Sequence, residues 1–86
     1  MEIQKIVGYN LKYLRYQSNL PQDKFYGQFG MNYRYLASVE RGEVNVSIGF
    51  LAKLAKTLKV DIREFFNPDE TRFITKTRID AKEKED

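Results

Sequence analysis

The apolar positions of this chain fall at helical spacing almost from its first residue. Ile3, Val7, Leu11 and Leu14 form one stripe, flanked by Ile6 and Tyr13, which predicts a helix over about residues 3–17. Asn19 suits a left-handed stop behind it, because Asn tolerates positive φ better than most residues. Leu20 then packs, and Pro21 opens a second helix, since proline fits a first helical turn. Phe25 and Phe29 are the inward residues of that helix, and Gly30 ends it after barely two turns. A third helix is predicted from about Asn32 to Glu40, with Gly42 as its stop. Ser47 N-caps a fourth, in which Leu51, Leu54, Ala55 and Leu58 follow the i, i+3, i+4, i+7 rule. Asp61 caps a last short helix carrying Ile62, Phe65 and Phe66, and Asn67-Pro68 ends it.

Five short helices with short connections imply a compact all-α domain over residues 1–68. From Asp69 the pattern changes. Residues 71–79 are rich in Thr, Ile and Phe and favour a strand, with Phe73, Thr75, Thr77 and Ile79 on one face. A lone strand cannot satisfy its backbone groups, so it would pair with its copy in a second subunit or with a partner protein. A frayed, soluble tail is the open alternative. The final charged run is expected to be disordered, which makes residues 69–86 a tail.

Composition removes more than it adds. Eighty-six residues suit one small domain. Phe and Tyr make up 14% of the chain, so much of the core should be aromatic. With neither Cys nor His there are no disulfides, thiolate or imidazole metal sites, His bases or Cys nucleophiles. No enzyme activity, cofactor or metal is therefore expected. No apolar run approaches the ~20 residues of a membrane span. Gln4, Lys5 and Asn10 break the N-terminal stretch that a signal peptide would need, so a cytoplasmic location is expected. The net charge of +3 is unevenly spread: residues 1–66 hold ten Lys/Arg against six Asp/Glu, residues 67–86 five against six. A mildly basic body is compatible with nucleic acid and with much else.

The stretch from Leu20 to Gly42, LPQDKFYGQFGMNYRYLASVERG, reads as a short helix, a tight glycine-centred turn and a second helix. That is the sequence shape of a helix-turn-helix. On a wheel of the second of these helices, Leu36 and Val39 point inward, with Tyr35 and Glu40 at the edges. Arg34, Ala37, Ser38 and Arg41 fall on the opposite stripe, with Tyr33 beside them. Small residues let a backbone approach base edges, and Arg can bond guanine in bidentate fashion. Taken alone, such a stripe is equally the solvated face of an amphipathic helix.

A set of ordered pieces extends the pattern beyond that stretch. They are Leu14-Arg15, Leu20-x-Gln22, Phe29-Gly30-Met31, Tyr35-Leu36 and Val39-Glu40-Arg41-Gly42. Asn45-x-Ser47, Leu51-x-x-Leu54-Ala55-Lys56-x-Leu58 and Val60-Asp61-x-x-Glu64-Phe65-Phe66 follow. In this order and spacing, from about residue 6 to residue 66, the chain resembles the Xre/Cro-type, lambda-repressor-like helix-turn-helix regulators. The resemblance implies that Tyr33, Arg34 and Ser38 face bases, with Ala37 close to that surface. It places Gln22, Arg41 and Asn45 at phosphates and pairs Arg15 with Glu40, largely out of solvent. It also implies a homodimer on a two-fold operator in double-stranded DNA, joined through the last helices. Phe50, Ile62, Phe66 and, in the tail, Phe73 are the candidate interface residues.

Four departures from the family pattern stand out. Pro21 replaces a capping Ser or Thr, and Tyr26 replaces a small Ala between the two motif helices. Gly27 weakens the same helix by about 0.5–1 kcal/mol relative to Ala. Glu43-Val44 replaces residues that are often basic, and an acid there repels phosphate. A second function stays open beside the transcriptional regulator, that of an antitoxin-like module which neutralises a protein partner through its tail.

Overall fold

The computed structural model describes residues 2–69. Four α-helices follow one another: α1 (Ile3–Tyr16), α2 (Gln22–Gly27), α3 (Tyr33–Glu40) and α4 (Ile48–Leu58). The fifth element is not an α-helix but a 3-10 turn, Ile62–Phe66. Its shortness explains the difference. The Asp61 side chain caps it by accepting from Arg63 N, and Asn67, extended before Pro68, stops it after five residues. Runs this short commonly take i→i+3 bonding. Among the described residues there is no strand; the candidate strand at 71–79 and Phe73 lie outside them.

Three predicted caps have the expected geometry. Asn19 is left-handed at φ 60°, Ser47 Oγ accepts from Phe50 N, and Gly42 sits at φ 72° after α3. Pro21 stands at the N-cap of α2 with no side-chain cap bond, as its missing hydroxyl requires. The αL stop of α4 falls on Lys59, at φ 59°.

The core gathers Val7 and Leu11 of α1, Phe25 and Tyr26 of α2, Leu36 and Val39 of α3, Leu51 and Leu54 of α4, and Phe65. Helix α1 packs against both α3 and the 3-10 turn, and α2 packs against α3. The α1–α3 approach is close enough to demand glycine. A Cβ on Gly8 would lie 2.5 Å from Val39 O and 2.6 Å from Glu40 O. Buried Asn10 ties α1 to the 3-10 turn and the residue that follows it: its Nδ2 donates to Ile6 O at 2.8 Å, Phe65 O at 3.1 Å and Asn67 O at 2.8 Å.

Phe29 corrects the sequence reading. Phe25 is buried, but Phe29 is 38% exposed and touches the core only edge-on, its ring 5.7 Å from that of Phe25. Helix α2 ends at Gly27, so Phe29 lies in the turn, where the i, i+4 rule that paired it with Phe25 no longer applies. No described helix is long and apolar enough to cross a membrane.

Candidate nucleic-acid interface

Helix α3 is held on two sides, and that decides which of its residues remain outside. Against α1 and α2 it buries Leu36, Ala37, Val39 and Glu40, two adjacent stripes rather than one. Ala37 is therefore only 6% exposed, which corrects its placement on the outward stripe. A single-face wheel cannot register a second neighbour. The outward face that remains is Arg34, Ser38 and Arg41, spaced i, i+4, i+7, with Tyr33 exposed at the first turn. Tyr35 lies on the far edge, its ring edge-on to Phe50 at 5.4 Å.

Both ends of α3 are fixed. At the start, the Asn32 side chain accepts from Arg34 N and Tyr35 N. Such a cap contributes about 1 kcal/mol. At the end, Lys5 Nζ donates to Arg41 O at 2.9 Å, tying the last turn to α1. The inner side is pinned by charge. Arg15 Nε donates to Glu40 Oε2 at 2.8 Å and Arg15 Nη2 to Glu40 Oε1 at 3.0 Å, a two-point pair whose side chains are 1% and 0% exposed. Arg15 Nη1 also donates to Leu20 O at 3.1 Å, which anchors the chain entering α2.

Two more donors complete this cluster, and the sequence did not reveal them. Gln22 Nε2 donates to Glu40 Oε1 at 3.0 Å, and the Tyr26 hydroxyl donates to Glu40 Oε2. Burial, reinforced by the neighbouring carboxylate, pushes the Tyr26 hydroxyl well above the ordinary phenol range, so it stays protonated and donates. Tyr26 thus occupies the α2–α3 space as a fully buried ring with its polar end satisfied.

On the outer face, the Arg34 guanidinium has no hydrogen-bond or ion-pair partner among the described residues. Ser38 Oγ donates to Tyr35 O at 2.5 Å, which leaves its oxygen as an acceptor. Arg41 is engaged: its Nε donates to Glu43 Oε2 at 2.9 Å between two half-open side chains. That bond holds the Glu43 carboxyl below its usual range and raises Arg41. Asn45 is exposed in the following loop, beside an apolar groove of ≈ 240 Å³ lined in part by Ile3, Val46, Ile48 and Phe66. Of the candidate interface residues, Phe50 and Ile62 are half-buried against the core, while Phe66 is 38% exposed. Ile48, absent from the sequence reading, is the most open large apolar residue described, at 76%.

This arrangement has known counterparts. A helix-turn-helix family model matches residues 11–65, which spans α2, the turn and α3 with their supporting helices. The chain is 38% identical over 77 residues to the uncharacterized HTH-type transcriptional regulator y4dJ of Sinorhizobium fredii (strain NBRC 101917 / NGR234), covering 88% of this chain and 100% of that protein. It is 36% identical over 62 residues to the control protein C.SmaI of Serratia marcescens, covering 72% of this chain and 74% of that one. No solved structure matches it significantly. With the family model covering more than half of its length, the chain belongs to the helix-turn-helix family.

Proposed function

We propose that the chain is a DNA-binding transcriptional regulator that lays α3 in the major groove and acts as a homodimer on a two-fold operator. The observation that carries this reading is the outer face of α3. Arg34, Ser38 and Arg41 share one side of a helix whose other side is locked to α1 and α2, so the face is presented as a rigid unit. Membership of the helix-turn-helix family supports it, as do relatives named as a transcriptional regulator and a control protein.

Arg34, whose guanidinium has no partner among the described residues, donates to guanine O6 and N7, and Tyr33 and Ser38 contact neighbouring bases. Gln22, Arg41 and Asn45 hold the phosphate backbone and set the register. Arg41 shares or exchanges its Glu43 bond for a phosphate on binding. One motif of this size covers too little DNA for high affinity, and two copies on half-sites about 34–36 Å apart supply the rest. Phe50, Ile62 and Phe66 are the interface candidates within the described residues.

Enrichment of duplexes from a random pool, followed by the stoichiometry of the selected complex, tests the reading. The expected product is a two-fold symmetric site bound by two chains. A pool that never enriches over random DNA rules out sequence-specific binding, and one chain per selected duplex rules out the dimer.

A further inference from the structure

Tyr26 and Gln22 sit one helical turn apart on the same face of α2, and both reach the same buried carboxylate. The Arg15 fork uses one lone pair on each oxygen of Glu40. Tyr26 takes a second on Oε2 and Gln22 a second on Oε1. A carboxylate offers about four such positions, so all of them are filled. The carboxylate is thereby fixed in plane and rotation, and Gln22 is oriented by the oxygen it bonds. Only one of the two hydrogens of the Gln22 amide is used there, and Gln22 is half-buried, with part of its surface open to solvent.

From this geometry we propose that Tyr26 is a positioning residue for DNA binding. Through Glu40, it holds the Gln22 carboxamide so that its second N–H is free for a DNA phosphate, an inference that rests on the DNA-binding reading above. The Tyr26 hydroxyl keeps Oε2 of Glu40 satisfied. Without it, Oε2 keeps its Arg15 bond but its second, buried lone pair lacks a partner, and the Gln22 amide is a neighbouring donor with a hydrogen to spare. Drawing that hydrogen inward removes it from the DNA side. The same hydroxyl gives α2 its second point of attachment to the end of α3, four residues from the first. Tyrosine at position 26 therefore does what a small residue there cannot: it couples the start of α2 to the last residue of α3 through one carboxylate.

The test uses the full chain and a duplex that it has itself selected from a random pool. Single methylphosphonates are placed along the backbone of that duplex, each removing one phosphate charge. Gln22→Ala should lose about tenfold in affinity, the scale of one hydrogen bond to a charged group. The backbone position at which that variant no longer responds to methylphosphonate marks the Gln22 contact. Tyr26→Phe keeps the ring but lowers stability, so its binding is read as the ratio of affinities for the native and the modified duplex, in which a reduced folded fraction cancels. The wild type should give a ratio of about ten, and both Gln22→Ala and Tyr26→Phe should bring it toward one. In the double variant, with affinities corrected for the folded fraction measured in parallel, Tyr26→Phe should add nothing to the affinity loss already caused by Gln22→Ala. A wild-type ratio in Tyr26→Phe, or losses that simply add, overturns the positioning role. If Gln22→Ala binds as the wild type does, Gln22 makes no phosphate contact and the inference falls while the α3 reading stands. If the wild type selects no DNA, both fall together.

Discussion

Replacing Arg15 by methionine keeps most of the side chain's length and removes the cation that Glu40 faces. The loss comprises two bonds to Glu40, at 2.8 and 3.0 Å, and a third to Leu20 O at 3.1 Å. Tyr26 and Gln22 still donate to the carboxylate, but neither carries charge, and the site is closed to water with both side chains of the pair at 1% exposure or less. Removing one member of such a pair costs about 3–5 kcal/mol, chiefly because the other charge stays buried. A domain of this size has on the order of 3–10 kcal/mol in total. The variant should therefore be marginal at 25 °C. In urea, with a slope of about 1 kcal/mol/M, its midpoint should fall by about 3–5 M or disappear. Far-ultraviolet circular dichroism across a urea series measures this. The companion variant Arg15→Met with Glu40→Leu removes both charges and should recover much of the loss. It still strands the Tyr26 hydroxyl and the Gln22 amide, at about 1–3 kcal/mol. An Arg15→Met midpoint within 1 M of the wild type, or a double variant no better than the single one, refutes the reasoning.

Three further outcomes follow from other sites. Gly8→Ala should lower the thermal midpoint, at a cost of about 1–3 kcal/mol, because the new methyl meets backbone oxygens at 2.5 and 2.6 Å and outweighs alanine's better helix propensity; an unchanged or higher midpoint contradicts the close α1–α3 crossing. Glu43→Gln should tighten DNA binding, because Arg41 no longer divides its guanidinium between a carboxylate and a phosphate and one repelling charge is gone from beside the backbone; equal affinity across a salt series removes Glu43 as a competitor. Asp61 is held down by its bonds from Arg63, from an ordinary 3.8 to about 2. Its folded value lies below its unfolded one, so its stabilising contribution is complete above pH 3.8 and lost as pH falls toward 2. The difference in thermal midpoint between wild type and Asp61→Asn should be level above that window and shrink within it.

The elements were legible in the sequence because each carries local chemistry at its ends. Asn19, Gly42, Ser47 and Asp61 act through their own backbone neighbourhood, so spacing alone locates them. What depends on neighbours in space was not legible. Ala37 turned out buried because α3 has a partner on each side, and Phe29 half-open because α2 stops two residues before it. The pairing of Arg15 with Glu40 was implied by resemblance. The resemblance also made Tyr26 look like an intrusion between two helices, since nothing in the sequence indicates that its hydroxyl has a carboxylate to meet. Spacing marks Glu43 only as an acid in the loop after α3, and its bond to Arg41, which occupies one donor of that side chain, depends on how the loop turns back. The openness of Ile48 is not legible from spacing, because it shares the Leu51 and Ala55 side of α4 and is open as the helix's first residue, at the rim of the groove that it lines with Leu51.

The claim that α3 reads bases is tested most directly by the specificity of Arg34→Ala. Wild type, Arg34→Ala and Arg41→Ala are each titrated against the selected duplex and against a shuffled duplex of the same length and salt. Arg34→Ala should lose about 1–3 kcal/mol on the selected duplex and little on the shuffled one, with preference relaxed at one base pair of each half-site. Arg41→Ala should weaken both duplexes alike and flatten the salt dependence by about one unit. If Arg34→Ala keeps the wild-type ratio between the two duplexes, the outer face of α3 does not read the sequence.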